Sequence, residues 1–353
     1  MRILNRYLFN SITASTGLVI LVLLSLGGFV EFISQLDDLG EGNYDLWKAM
    51  QYVALKMPRL AAGLLPVSVL LGSLLGLGAL ASSSELIIMR AAGVSPMRMA
   101  RSVAVTGIII ASIGGVVGEF MAPQMDLYAR QLRAVAKSGE ADIAGSSAWL
   151  RDGNLIFNIR PSIDGIDFGG VYVFRIGNGV FLSGIGRGDS VQSDEDGEWS
   201  LSNFNESQFV ASGIAIGTEV DQESVSKLTD LLAITAVRES SLTGQELWAY
   251  VQHLKANGLD ADRYEIALWG RVATVVGIAV MCVLALPFVF GSLRSTGAGA
   301  RMIIGILIGL GYFLLNRTMA DSVAVFNLSP FLVAWVPTAL LMVGTLIGLS
   351  RLR

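Results

Sequence analysis

Lys56, Arg59, Arg271 and Arg317 stand at the edges of long apolar stretches or within them, and Arg263 lies just outside one. A cation in that setting either meets an anion, such as phosphate or carboxylate, or reaches to a polar boundary and anchors a helix end. A different chemistry is written in residues 82–98. Three serines precede Glu85, Arg90 follows, Gly93 supplies a left-handed stop, and Ser95-Pro96 opens a new helix. The pattern predicts a short helix over about 82–93 with an acid at its positive end. Leu86, Ile87, Ile88 and Met89 are too apolar for a solvated loop. They suit a turn resting on a polar–apolar boundary, or a knob that fits a groove in another protein.

Little else in the chain points to bond-making chemistry. His253 is the only histidine and Cys282 the only cysteine. His253 falls on the polar face of a predicted helix, which suits a solvated side chain better than a ligand. Histidine-rich zinc sites are excluded, and so are GxSxG, HExxH and CxxC patterns. No glycine-rich loop ends in Gly-Lys-Ser/Thr, so no cofactor is expected on this chain and ATP is not bound by that route. The apolar runs lack paired acids or histidines at helical spacing, which disfavours a lipid-modifying enzyme. No basic stripe with interleaved aromatics suggests nucleic acid.

The elements that must position these groups are long. Residues 7–30, 60–84, 102–118, 272–293, 302–316 and 322–350 carry no Asp, Glu, Lys or Arg. A bilayer core about 30 Å thick takes roughly 20 apolar helical residues to cross. Most runs meet that length, and the shorter ones extend through Glu119 and Arg317. With 53% hydrophobic and 15% charged residues and a mean hydropathy of +0.60, the chain lies outside the soluble range. Arg2, Arg6, Arg90, Arg98, Arg101, Arg294, Arg301, Arg351 and Arg353 fall in alternate connections and at the termini, with Glu85 the only acid among them. Basic short connections stay inside, so both termini are expected in the cytoplasm and residues 119–271 outside. The first run is too long for a cleaved signal peptide, and no small-x-small site precedes the acidic turn after it.

After Pro123 the pattern turns to short alternating segments. Residues 148–151 and 155–159 flank Asp152-Gly153-Asn154, and residues 170–176 and 180–183 flank Gly177-Asn178-Gly179. Residues 189–192 and 198–201 make a third hairpin around 194–197, and 209–220 add one or two strands. Thr243 and Glu246 form a capping box for a helix that Leu247, Val251 and Leu254 line on one face and Gly258 closes. The predicted fold is an α-helical membrane protein of six transmembrane helices. An antiparallel β-jelly-roll is inserted between helices 3 and 4. The divisions are 1–122 (helices 1–3 with the short helix), 123–262 (the β-domain) and 263–353 (helices 4–6).

The string Ser84-Glu85-Leu86-Ile87-Ile88-Met89-Arg90-Ala91-Ala92-Gly93 closely resembles the coupling-helix region of the LptF/LptG permease family. Other matching strings are Arg6-Tyr7, residues 118–124, Trp149 with Asp152-Gly153-Asn154, Tyr250 with Leu254-Lys255, Arg263-Tyr264 with Trp269, and residues 290–295. Together they run the length of the chain in order. The Trp269 segment and residues 290–295 are more like the LptG branch than the LptF branch.

The resemblance implies a subunit of the lipopolysaccharide export ABC transporter in a bacterial inner membrane, with the β-domain in the periplasm. It implies an LptF-type sister permease, an LptB-type ATPase dimer bound to the coupling helices, an LptC-type single-span subunit and an LptA-type periplasmic bridge. Carried onto this sequence, Glu85 and Arg90 would be the polar contacts with the ATPase, and Leu86, Ile87, Ile88 and Met89 the packing surface. Lys56, Arg59, Arg271 and Arg317 would meet the phosphates of lipopolysaccharide. Arg317 follows Arg301 by sixteen residues, about 24 Å along a helix. Phe29, Phe32 and Ile33 on the first helix, and Ile306, Leu310 and Phe313 on the fifth, would face acyl chains. Glu31, Asp37 and Asp38 replace lysines that relatives carry at the end of the first helix. A membrane-anchored scaffold displaying a β-domain is the competing reading. The coupling helix separates the two, because a scaffold needs none.

Overall fold

The computed structural model describes residues 2–138, 148–152, 154–161, 168–177, 181–193, 199–202, 204–210, 213–217, 242–290, 298–326 and 328–351. Among them, six helical segments are long and apolar enough to cross a membrane: Ile3–Leu36, Leu46–Ser82, Pro96–Lys137, Asp262–Phe290, Met302–Ala320 and Pro330–Ser350. The chain divides into two compact units. One holds residues 1–37, 50–126 and 262–353, and the other 38–49 and 127–261.

In the first unit α1 is Arg2–Leu36, α2 is Leu46–Ser82, α3 is Glu85–Ala91 and α4 is Pro96–Val116. Further along the chain come α7 (Asp262–Phe290), α8 (Ala298–Phe326) and α9 (Pro330–Ser350), so numbered after α5 and α6 below. The apolar core gathers Val69, Leu70, Leu74 and Leu77 of α2 with Val103 of α4 and Met281, Ala285 and Val289 of α7. Small residues set the helix spacing. Gly72 lies directly against the Thr16 backbone of α1, and a Cβ on Gly76 would stand 2.9 Å from the Ser11 carbonyl. On α8, Gly305 and Gly309 press on Leu71, Leu74 and Val67 of α2, while Phe313, two turns on from Gly305, is exposed. Tyr312 Oη lies 3.3 Å from Thr338 Oγ1, which donates to the Ala273 carbonyl at 3.1 Å, tying α8, α9 and α7 together.

The third long helix does not end at Pro123 as the sequence suggested. A π-helical turn over Val117–Met121 leads into α5 (Ala122–Ser138). Proline lacks a backbone N–H and crowds the carbonyl a turn earlier, and the wider π register absorbs both defects, so the helix passes through.

The second unit carries a seven-stranded antiparallel sheet. Its strands are β1 (Ala148–Asp152), β2 (Leu155–Pro161), β3 (Phe168–Ile176), β4 (Leu182–Ser193), β5 (Trp199–Ser202), β6 (Asn205–Val210) and β7 (Gly213–Gly217). The order is β1-β2-β3-β4-β6-β7, with β5 paired to β4 beside β6. The pairs Arg187↔Asn205 and Ser190↔Ser202 share one register, so β5 and β6 are two parts of a single run against β4. The segments 180–183 and 189–192, expected as separate strands, are joined from Leu182 onward in β4, and Val180 lies outside the described residues. The glycines between the two segments make room for side chains from β6 and the residue before it: Gly186 sits under the Phe204 ring and Gly184 beside the Glu206 carboxylate. Gly153, Asn178, Gly179 and residues 194–197, read as turns, lie outside the described residues, as do 218–220. Helix α6 (Gly244–Ala256) begins with both halves of the expected capping box. It buries Leu247, Val251 and Leu254, and Gly258 follows at φ +63°.

Candidate functional site

The short helix forms as its sequence dictates, with one correction. Ser84 takes a left-handed backbone, φ 62°, and its side chain makes no cap. Glu85 is held instead. The Tyr7 phenol of α1 donates to its Oε2 at 2.6 Å and Ser83 Oγ to its Oε1 at 2.9 Å. These bonds, Tyr7 first, hold the Glu85 carboxyl below the usual carboxylate range. Gly93 ends the turn at φ +88°, and the Ser95 side chain accepts from the Arg98 backbone to cap α4.

The apolar residues of α3 divide by face. Leu86 is 1% exposed and belongs to the unit's own core, with Met89 packed against it. Neither is a free packing surface, contrary to the expectation for Leu86 and Met89. On a helix, positions three apart share a face, and that face here is turned inward. Ile87 and Ile88 are 38% and 65% exposed and form the outward surface. Arg90 is exposed, with its guanidinium 5.5 Å from the centre of the Phe290 ring at the end of α7.

The other group of sequence-selected residues lies toward the opposite ends of the same helices. Lys56 pairs with Glu31 at 2.6 Å and lies 5.0 Å from the centre of the Tyr52 ring. Arg59 meets Asp126 at 3.2 Å, and the Asp126 side chain is fully buried. Arg271 meets Glu119 at 3.0 Å. Arg317 on α8 is exposed, with no ion pair among the described residues. Phe29, Ile33, Ile306, Leu310 and Phe313 are exposed and Phe32 half-buried, so α1 and α8 each present an apolar face outward.

Sequence reasoning missed the carboxylate partners. Glu31 and Asp38 were read as acids standing in place of basic contacts, yet each is engaged within its own unit. Asp38 takes ion pairs from Arg133 and, at 2.8 Å, Lys137 of α5. Those hydrogen bonds, from Lys137 and then Arg133, outweigh desolvation and hold its carboxyl below the ordinary range. Gly42, at φ +54°, packs against the Ala136 and Lys137 carbonyls, and the Asn43 backbone N–H donates to Ala136 at 2.7 Å. The recurrence of Asp126, Arg130, Arg133 and Lys137 along one helix was the available signal, lost by ending that helix at Pro123.

These elements define a class: a polytopic helical protein with an antiparallel β-unit and a short amphipathic helix between its second and third long helices. Comparison with known proteins places it more closely. The family model described as lipopolysaccharide export system permease LptF/LptG matches residues 6–351. The chain is 30% identical to the permease protein LptG of Haemophilus influenzae over 353 residues, covering 99% of each chain. It is 32% identical to LptG of Escherichia coli K12 over 341 residues, 96% of this chain and 95% of that one. Against LptF of E. coli K12 identity is 23% over 338 residues, 94% and 90% of the two chains. This chain belongs to the LptF/LptG family of lipopolysaccharide export system permeases.

Proposed function

We propose that this chain is the LptG-type permease subunit of an ABC transporter. It extracts lipopolysaccharide from the inner membrane and passes it to a periplasmic bridge. The family match along nearly the whole chain carries this reading, and the higher identity to LptG than to LptF favours that branch. The chain is a non-catalytic subunit. ATP acts through an LptB-type ATPase dimer, and an LptF-type sister permease, an LptC-type single-span subunit and an LptA-type bridge complete the assembly.

In this reading both termini and α3 lie in the cytoplasm, and residues 123–262 form a periplasmic domain whose sheet is part of a jelly roll. Glu85 supplies the charge that meets the ATPase, Ile87 and Ile88 the apolar contact, and Arg90 a flanking donor. Tyr7 presents Glu85 as an ionised acceptor, so a partner arginine finds a carboxylate already oriented. Leu86 and Met89 transmit the push into the helical core. At the other boundary Arg317 meets a lipid phosphate directly, while Lys56, Arg59 and Arg271 do so by exchanging Glu31, Asp126 and Glu119 for it. The outward apolar faces of α1 and α8 take the acyl chains.

Glu85→Ala tests the reading. Membrane insertion is expected to be unchanged, while ATPase recovered by affinity capture falls about tenfold and lipopolysaccharide export stops. Normal export by the variant would refute the coupling role of Glu85.

A further inference from the structure

Near the first turns of α1, that helix and α4 enclose a groove of about 600 Å3. Its lining includes the cations Arg6, Arg98 and Arg101 and the apolar Phe9, Val105 and Ile109. Between them Ser102 Oγ donates to Asn5 Oδ1 at 2.8 Å, which leaves the Asn5 amide hydrogens as donors at the mouth. No lining residue is acidic. Three features specify an occupant. Guanidinium groups match phosphate oxygens in forked geometry better than any other side chain. Polarity is graded along α4, with Arg98 and Arg101 in its first turns and Val105 and Ile109 one to two turns further on, while Leu4 and Val94 add apolar surface beside the cations. Arg98 and Ile109 are eleven residues apart on α4, about 16 Å along the helix. That matches roughly half of a 30 Å bilayer core. A free phosphate would use the mouth and leave the apolar floor empty. A lipid acyl chain fills it.

We propose that this groove binds one anionic phospholipid, its headgroup phosphate held by Arg98, Arg101 and Arg6 and an acyl chain lying along Phe9, Val105 and Ile109. Basic pockets between spanning helices at a membrane surface are suited to such headgroups. The site is at the α3 end of the unit, away from the residues assigned to lipopolysaccharide. It requires only that the helices span a membrane, so the export reading stands or falls independently of it.

The test uses the full-length chain in detergent micelles, titrated with dioleoyl phosphatidylglycerol or dioleoyl phosphatidylcholine and read by native mass spectrometry. Phosphatidylglycerol is expected to bind at least tenfold more tightly. Arg98→Gln with Arg101→Gln removes most of that preference, about fivefold per arginine. Val105→Trp, which fills the floor with the charges intact, weakens both lipids. Inorganic phosphate at millimolar concentration leaves the bound lipid in place. On the unaltered chain, a photoactivatable phosphatidylglycerol with its reactive group at the acyl end attaches to Phe9, Val105 or Ile109. Equal binding of the two lipids, displacement by inorganic phosphate, or attachment confined to other helices would overturn the proposal.

Discussion

Toward one end of the helical unit, Lys56, Arg59 and Arg271 each face a carboxylate of the same unit: Glu31, Asp126 and Glu119. At the other end Arg6, Arg98 and Arg101 line one groove that no acidic side chain lines, and the nearby Glu85 is engaged by Tyr7 and Ser83. A carboxylate matched within the chain settles a cation near the membrane without outside help. A groove lined by several cations and no acid presents a positive surface that attracts anions or acidic partners. At the first end these three cations are matched within the chain. The second, in the proposed reading, is completed by a partner.

The largest expected effect strikes the frame that both ends share. Gly72→Leu would drive a side chain into the Thr16 backbone, which unlike a flexible side chain cannot step aside. The cost is about 3 kcal/mol or more. Thermal unfolding in detergent should drop steeply, and Tyr7 should no longer reach Glu85; a wild-type melting curve would mean α1 is not seated there.

A smaller loss is expected at the paired end. Asp126→Ala leaves the Arg59 guanidinium facing a buried vacancy. Breaking a fully buried pair costs about 3–5 kcal/mol, and because Arg59 is partly open to solvent the expectation is nearer 2 kcal/mol. Asp126→Ala combined with Arg59→Met should recover part of it, measured by the same melts. No recovery would show that Asp126 stabilises through another contact.

The smallest effect is at the Glu85 end and is one of pH. The folded Glu85 carboxyl titrates below its unfolded value, so the Tyr7 bond contributes fully above the ordinary carboxylate range. It is lost as pH falls through the lowered value. Tyr7→Phe should therefore cost a little stability at neutral pH and nothing in strong acid. It should also raise the pH at which ATPase capture is half lost. An unshifted capture profile would mean the phenol does not set the charge of Glu85.

Much of this was legible in residue order. The charge-free runs marked the long helices. Thr243 and Glu246 gave the start of α6, and Gly93 with Ser95-Pro96 gave the end of α3 and the start of α4, because caps are local and their chemistry is written within four residues. What depends on distant partners was not. The split of α3 into an inward Leu86 and Met89 and an outward Ile87 and Ile88 follows from where the core lies. Tyr7 reaching Glu85 depends on α1 crossing α2 at Gly72 and Gly76. Pro123 misled for a local reason, since a π turn can carry a helix through proline at no cost visible in composition. The stretch joining 180–183 to 189–192 was not legible because its glycines face Phe204, just before β6, and Glu206 within it.

The central claim is that α3 faces the cytosol and is covered there by an ATPase. Ile88→Cys tests it, since the native Cys282 is buried and contributes little background. A membrane-impermeant maleimide should label position 88 in inverted inner-membrane vesicles stripped of peripheral proteins. Labelling should slow when the ATPase subunit is added back, and should be absent in intact spheroplasts. Rapid labelling in intact spheroplasts would contradict the claim.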